Sequence, residues 1–128
     1  MRSEGAAAGL AASGWRLPVA RAVGWVVLAG LLAFQVWALY LASGAGGQLF
    51  PHADKVGHLT MFALPAAVAA LLGSRAALGL VLVHALVAEP VQALVTEGRV
   101  TDVWDTVANL VGVALGAGWL LRRPGRRR

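Results

Sequence analysis

The sequence predicts an all-α integral membrane protein, a bundle of four helices with both termini in the cytoplasm. Three observations predict it. The residues are 59% hydrophobic and only 13% charged, against roughly 25% charged in an ordinary soluble domain. The apolar residues fall into four continuous runs separated by turn signals, with no strict alternation, and lipid exposure admits only helices or closed barrels. The basic residues gather at alternate ends of those runs. A soluble domain of 128 residues has too little interior to bury so many Leu, Val and Ala side chains.

Residues 1–17 are rich in Ala, Gly and Ser and read as a flexible cytoplasmic segment. The membrane domain spans 18–121. Its first apolar run, 19–42, exceeds the 7 to 15 residues of a signal-peptide core, so a span is preferred to a leader cleaved near Ala45. Gln35 is its one strongly polar residue mid-run, either touching another helix or merely tolerated. A Gly-rich loop follows over 43–53. The second run, 56–72, is short, and Pro65 inside it is expected to kink the helix and free a carbonyl. Gly73, Ser74 and Arg75 form a tight turn before the third run, 76–94. Residues 96–99 form another turn. Asp102 or Thr101 then caps the fourth run, 103–121, and Asp102 as cap puts Asp105 at the third helical position, a variant capping box. Residues 122–128 are a basic cytoplasmic tail suited to an anionic membrane face.

Topology follows from Lys and Arg. With the N-terminus inside, Arg2, Arg16, Arg21, Arg75 and the five tail arginines are cytoplasmic, and only Lys55 and Arg99 face out. The net charge of +5 is then a membrane-anchoring signal, and nucleic acid is set aside as a partner. Cysteine is absent, which removes disulfides, thiolate chemistry and Cys-based zinc sites.

This topology brings three polar stretches to the outer face. Asp54 and His58 lie one turn apart on the second helix. Lys55 is adjacent, angled away from that pair, with a stem long enough to snorkel back to the interface. Glu89 and Gln92 share a face of the third helix. Asp102, Asp105, Asn109, Gly112 and Gly116 follow a 3,4,3,4 spacing, one stripe down the fourth helix. With Ala108, the two glycines offer a small-residue surface for close helix packing. Glu89 sits deepest among the carboxylates, where an unpaired charge would cost several kcal/mol. His84 shares no helical step of three or four with Glu89 or Gln92 and reads as a packed interhelical histidine.

Such a cleft admits several chemistries. Lys55 and Arg99 could hold a phosphate or carboxylate, with Gln92, Asp102, Asp105 and Asn109 contributing to a ligand site. His58, oriented by Asp54 and near Glu89, could act as a general acid or base, with water as the attacker. A divalent cation on His58 with Glu89, Asp102 or Asp105 is the weakest of these, because no His-Glu-x-x-His motif is present; no metal and no cofactor are expected. The bland alternative is an ionic knot that only holds short helices together.

The ordered set Asp54-Lys55-x-x-His58 with Phe62, Glu89-x-x-Gln92, Gly98-Arg99, Asp102, Asp105, Asn109, Gly112 and Gly116 resembles the VanZ-like membrane protein family. The match covers about half the chain. It departs at Phe62, where the family often has Tyr, at Val100, where it has Ser, and at Pro90. The resemblance implies a multi-pass protein of the bacterial cell membrane, in contact with lipid and open to self-association. The family takes its name from an accessory protein of glycopeptide resistance, a modulator of teicoplanin sensitivity. The implied partner is therefore an envelope lipid, a lipid-linked peptidoglycan precursor or a glycopeptide, bound or modified at the outer cleft. A membrane-embedded hydrolase or transferase and a purely structural protein are the alternatives. No residue role comes with the resemblance.

Overall fold

A computed structural model describes residues 3–42 and 49–122, with side chains at 17–42, 49–118 and 122. The described chain is all-helical and carries no strand. Helix α1 (Ser3–Val36) widens into a π-helical turn at Trp37–Leu41. Helices α2 (Ala53–Leu71), α3 (Arg75–Val95) and α4 (Val103–Leu121) follow. Most of the Gly-rich 43–53 loop, the candidate cleavage point and the tail beyond Arg122 lie outside the described residues. Helix α1 begins at Ser3, inside the stretch expected to be flexible. Its Ala-rich start has high intrinsic helix propensity.

Helices consecutive in sequence run in opposite directions. Arg21 reaches the carbonyl of Leu72, and Gln35 reaches that of Met61, so α1 and α2 are antiparallel. Asn109 reaches Ala85, and the backbone N–H of Asp102 reaches Glu89, so α3 and α4 are antiparallel too. Helices α2 and α4 are parallel and make the most extensive interface of the bundle. One end of the bundle therefore collects the starts of α2 and α4 with the finishes of α1 and α3. The other end carries Arg21, Arg75 and Arg122. Arg21 donates to the last turn of α2, the end where the helix dipole favours a cation.

Apolar side chains face outward along much of this bundle. Val26, Leu80, Val83, Leu94 and Leu115 are all exposed. Among the described residues the interior combines a small apolar core, with Phe62, Ala66, Val81, Ala85 and Ala88 fully buried, and six buried polar side chains. Among the described residues, two segments, Leu17–Leu41 and Arg75–Val95, are long and apolar enough to cross a membrane. Val103–Gly118 is apolar but shorter.

The parallel α2–α4 contact depends on missing side chains. A Cβ on Gly112 would run into the carbonyl oxygen of Leu59, and one on Gly116 into that of Ala63. Neither obstacle is a flexible side chain, so the helices themselves would have to part. Both prolines inside α2 and α3 are accommodated without a break. Pro65 leaves the carbonyl of Met61 without its helical donor, and Gln35 Nε2 supplies the missing bond at 3.1 Å. Gln35 Oε1 in turn accepts from His84 Nδ1 at 3.2 Å, and the Tyr40 hydroxyl donates to His84 Nε2 at 2.8 Å. The amide oxygen can only accept, so Nδ1 carries the proton and every polar atom of that neutral ring is paired. His84 is the interhelical histidine its isolation in sequence indicated.

Gly116→Leu should destabilise the bundle by at least about 1–3 kcal/mol, the range of ordinary overpacking, because backbone must move. Gly118→Ala, whose Cβ would meet open space, should leave stability unchanged or slightly raised. Thermal unfolding of the two variants in one detergent reads the difference.

Candidate functional site

The outer tier of the site is organised by Lys55. Helix α2 starts from His52, which holds a left-handed backbone (φ 63°), and Lys55 then projects toward the start of α4. Its Nζ lies 2.6 Å from Asp105 Oδ1, 2.7 Å from Asp102 Oδ2 and 3.0 Å from Asp54 Oδ2. An ammonium has three N–H donors and no acceptor, so three carboxylates use all of it. Lys55 does not lean away from Asp54, as helical spacing alone indicated: its flexible stem bends back to the shared ion pair. The Lys55 ammonium beside Asp102, helped by the Trp104 backbone N–H, holds that carboxyl below the usual carboxylate range.

Asp102 also caps α4. Its Oδ1 accepts the backbone N–H of Trp104 at 2.9 Å. The reciprocal half of the expected capping box is missing, because the Asp105 side chain is taken by Lys55. The backbone N–H of Asp102 is served instead by Glu89 Oε2 at 3.3 Å. A carboxylate from α3 thus completes the start of α4.

The inner tier is His58, Glu89, Asp105 and Asn109, all buried at 5% exposure or less. His58 was expected to be oriented by Asp54. It is oriented by Asn109: His58 Nδ1 lies 2.9 Å from Asn109 Oδ1, and Asn109 Nδ2 donates to the Ala85 carbonyl at 3.3 Å. Asp54 is held by Lys55, on the outer side of the helix start. With Nδ1 donating to an amide oxygen, His58 presents Nε2 to two carboxylates. It stands 3.8 Å from Glu89 Oε1 and 3.7 Å from Asp105 Oδ2. Arg99 approaches the same Asp105 oxygen at 3.9 Å from a more exposed position.

Sequence reasoning therefore placed Asp54, Lys55, His58, Glu89, Arg99, Asp102, Asp105 and Asn109 at one end, and the fold brings them together there. Gln92 is the exception. Its Nε2 donates to the Leu39 carbonyl in the π-helical turn at 2.7 Å, away from the ionic cluster. The role of Lys55 as an anion holder also changes, since its donors are already committed; Arg99 is the basic group left at the rim. Tyr40 was not singled out beforehand. Its role depends on the π-helical turn, which apolar periodicity does not encode.

Among the described residues, two groups of side chains bring three ligating atoms within 4.8 Å of one another: Asp54 with Asp102 and Asp105, and His58 with Glu89 and Asp105. Lys55 already occupies the first. An apolar groove between α2 and α4 opens beside the outer tier, lined by Leu59, Trp104, Val107 and Val111, with Lys55 at its head.

Removing Lys55 strands three acidic groups at once. Lys55→Met should cost up to the roughly 3–5 kcal/mol typical of breaking a buried pair, tempered by the partial exposure of Asp54 and Asp102. Glu97→Ala, in the exposed turn, should change stability by no more than about 0.5 kcal/mol. Denaturation of both variants beside the parent chain tests the contrast.

No protein-family model, curated protein or solved structure matches the chain.

Proposed function

We propose that the chain is a multi-pass protein of the bacterial cell membrane, of the VanZ-like kind, that binds the polar head of an amphiphilic envelope molecule at its extracytoplasmic end. The observation that carries this reading is the two-tier polar cluster at one end of a bundle whose sides are apolar. All four helices cross the bilayer, with the arginine-bearing end in the cytoplasm. The outward Leu and Val side chains are then solvated by lipid, and the short α2 and α4 are seated by the charged groups at their starts.

The adjoining groove suits an acyl or isoprenoid chain, with Trp104 at the interfacial depth that indoles prefer. Hydroxyl and amine groups of a sugar or amino-acid head meet the exposed edges of Asp54 and Asp102, and Arg99 meets a phosphate. The same surface fits a lipid-linked peptidoglycan precursor or a glycopeptide. A second reading, a hydrolase or transferase, is favoured by one feature: Asn109 engages His58 Nδ1, so that Nε2 faces into the cluster. Product formation abolished by His58→Gln in a folded protein would select it.

The chain lacks cysteine, so single-cysteine labelling is clean. A membrane-impermeant maleimide should label Glu97→Cys in intact cells and Arg75→Cys only after permeabilisation. The reverse pattern refutes the topology. Native mass spectrometry of the purified protein should show a retained envelope lipid, depleted several-fold by Arg99→Ala and Trp104→Ala. Retention unchanged by both would place the lipid elsewhere.

A further inference from the structure

We infer that His58, Glu89 and Asp105 form a binding site for one divalent transition-metal cation of the Zn2+ or Mn2+ class. This goes beyond the headgroup reading and does not depend on it.

Three observations carry it. The first is an orphan. Glu89 is 2% exposed, and its Oε1 is a fully buried carboxylate oxygen with no hydrogen-bond donor. It points at His58 Nε2, 3.8 Å away. A buried anionic oxygen left unpaired costs several kcal/mol, so something cationic belongs beside it.

The second is the histidine. Asn109 holds Nδ1 through an oxygen that only accepts, and Asn109 is itself fixed by the Ala85 carbonyl. This leaves Nε2 facing two carboxylate oxygens, a place that calls for a positive charge between them. An outer group that fixes one ring nitrogen so that the other can ligate is how metal-binding histidines are oriented. Ligands about 2.1 Å from a tetrahedral cation stand about 3.4 Å apart. The two edges at the histidine, 3.7 and 3.8 Å, need only a few tenths of an ångström of closure, and all three ligating atoms lie within 4.8 Å of one another.

The third is charge. Four carboxylates, Asp54, Glu89, Asp102 and Asp105, share the cluster with Lys55 and Arg99. The acids outnumber the two bases, and while Asp54 and Asp102 are partly solvated, Glu89 is shut off from water and lacks cationic partners. Lys55 cannot serve as one, since its three donors already serve the outer acids. Arg99 stands 3.9 Å from Asp105 and bonds neither Glu89 nor His58. One imidazole with two carboxylates suits Zn2+ or Mn2+ in preference to Mg2+ or Ca2+, which favour all-oxygen shells.

The full chain, purified in detergent and stripped with a chelator, should bind one Zn2+ per chain in competition with a chromophoric chelator. Millimolar Mg2+ should not displace it. Glu89→Gln keeps the shape and an acceptor for the Asp102 N–H, and should weaken Zn2+ by at least tenfold. X-ray absorption of the Zn2+-loaded parent protein needs no variant, and should show one imidazole among oxygen ligands. No stoichiometric Zn2+ or Mn2+, undiminished affinity in Glu89→Gln, or a shell without imidazole would each overturn the site. Lipid lost with Zn2+ retained would fault only the headgroup reading; Zn2+ absent with lipid retained would fault only this one.

Discussion

Charge that cannot reach water must be matched within the protein, and Lys55 meets most of that constraint. Its ammonium is shared by three carboxylates from two helices at 2.6 to 3.0 Å. The pair with Asp105 is the most buried of the three, since Asp105 is almost wholly enclosed. One end of α2 is thereby fastened to one end of α4. Both helix starts also welcome acidic groups, because their unpaired N–H groups and dipoles favour negative charge. The same carboxylates therefore serve the helix ends and the lysine together. Asp102 shows this most directly: one oxygen caps Trp104 and the other bonds Lys55.

A second constraint is the backbone. In an interior shut off from water a carbonyl freed from its helix needs another donor. Side-chain amides reach two carbonyls at irregular places in the helices. Gln35 serves Met61, four residues before Pro65, and Gln92 serves Leu39 inside the π-helical turn. Each bond crosses from one helix to another. Irregularities in α2 and after α1 thus become fixed points between helices. Tyr40, His84 and Gln35 extend the first of these into a chain of hydrogen bonds whose members are all satisfied. A network with every atom paired specifies geometry strongly. The His58 network differs because Glu89 Oε1 is left over.

Much of this was legible in the sequence. The 3,4,3,4 stripe on α4 places Asp105, Asn109, Gly112 and Gly116 on one face with no ambiguity. The start of α4 at Val103 follows from Asp102 as cap. Pro65 announces a free carbonyl. What helical spacing does not encode is which partner a side chain selects across an interface. His58 and Asp54 share a face, yet His58 bonds Asn109, because Asn109 sits opposite at the same depth while Asp54 is nearer the bundle end. Lys55 appeared directed elsewhere because spacing fixes only Cβ; four flexible carbons carried its nitrogen to the acids. The capping box failed for a similar reason, since a stronger cationic partner claimed Asp105.

The packing and the chemistry of α4 are two uses of a single stripe. Gly112 and Gly116 let the α4 backbone approach the carbonyls of Leu59 and Ala63 more closely than any side chain would allow. The parallel alignment carries that approach upward along both helices. One turn above Gly112, Asn109 comes within 2.9 Å of His58. A further turn places Asp105 within 2.6 Å of Lys55. A wider separation lower in the bundle would lengthen these contacts at the end, where a few tenths of an ångström decide whether a hydrogen bond exists. The glycines therefore act on the site without touching it: they set the distance at which α4 presents its acids to the histidine and lysine of α2.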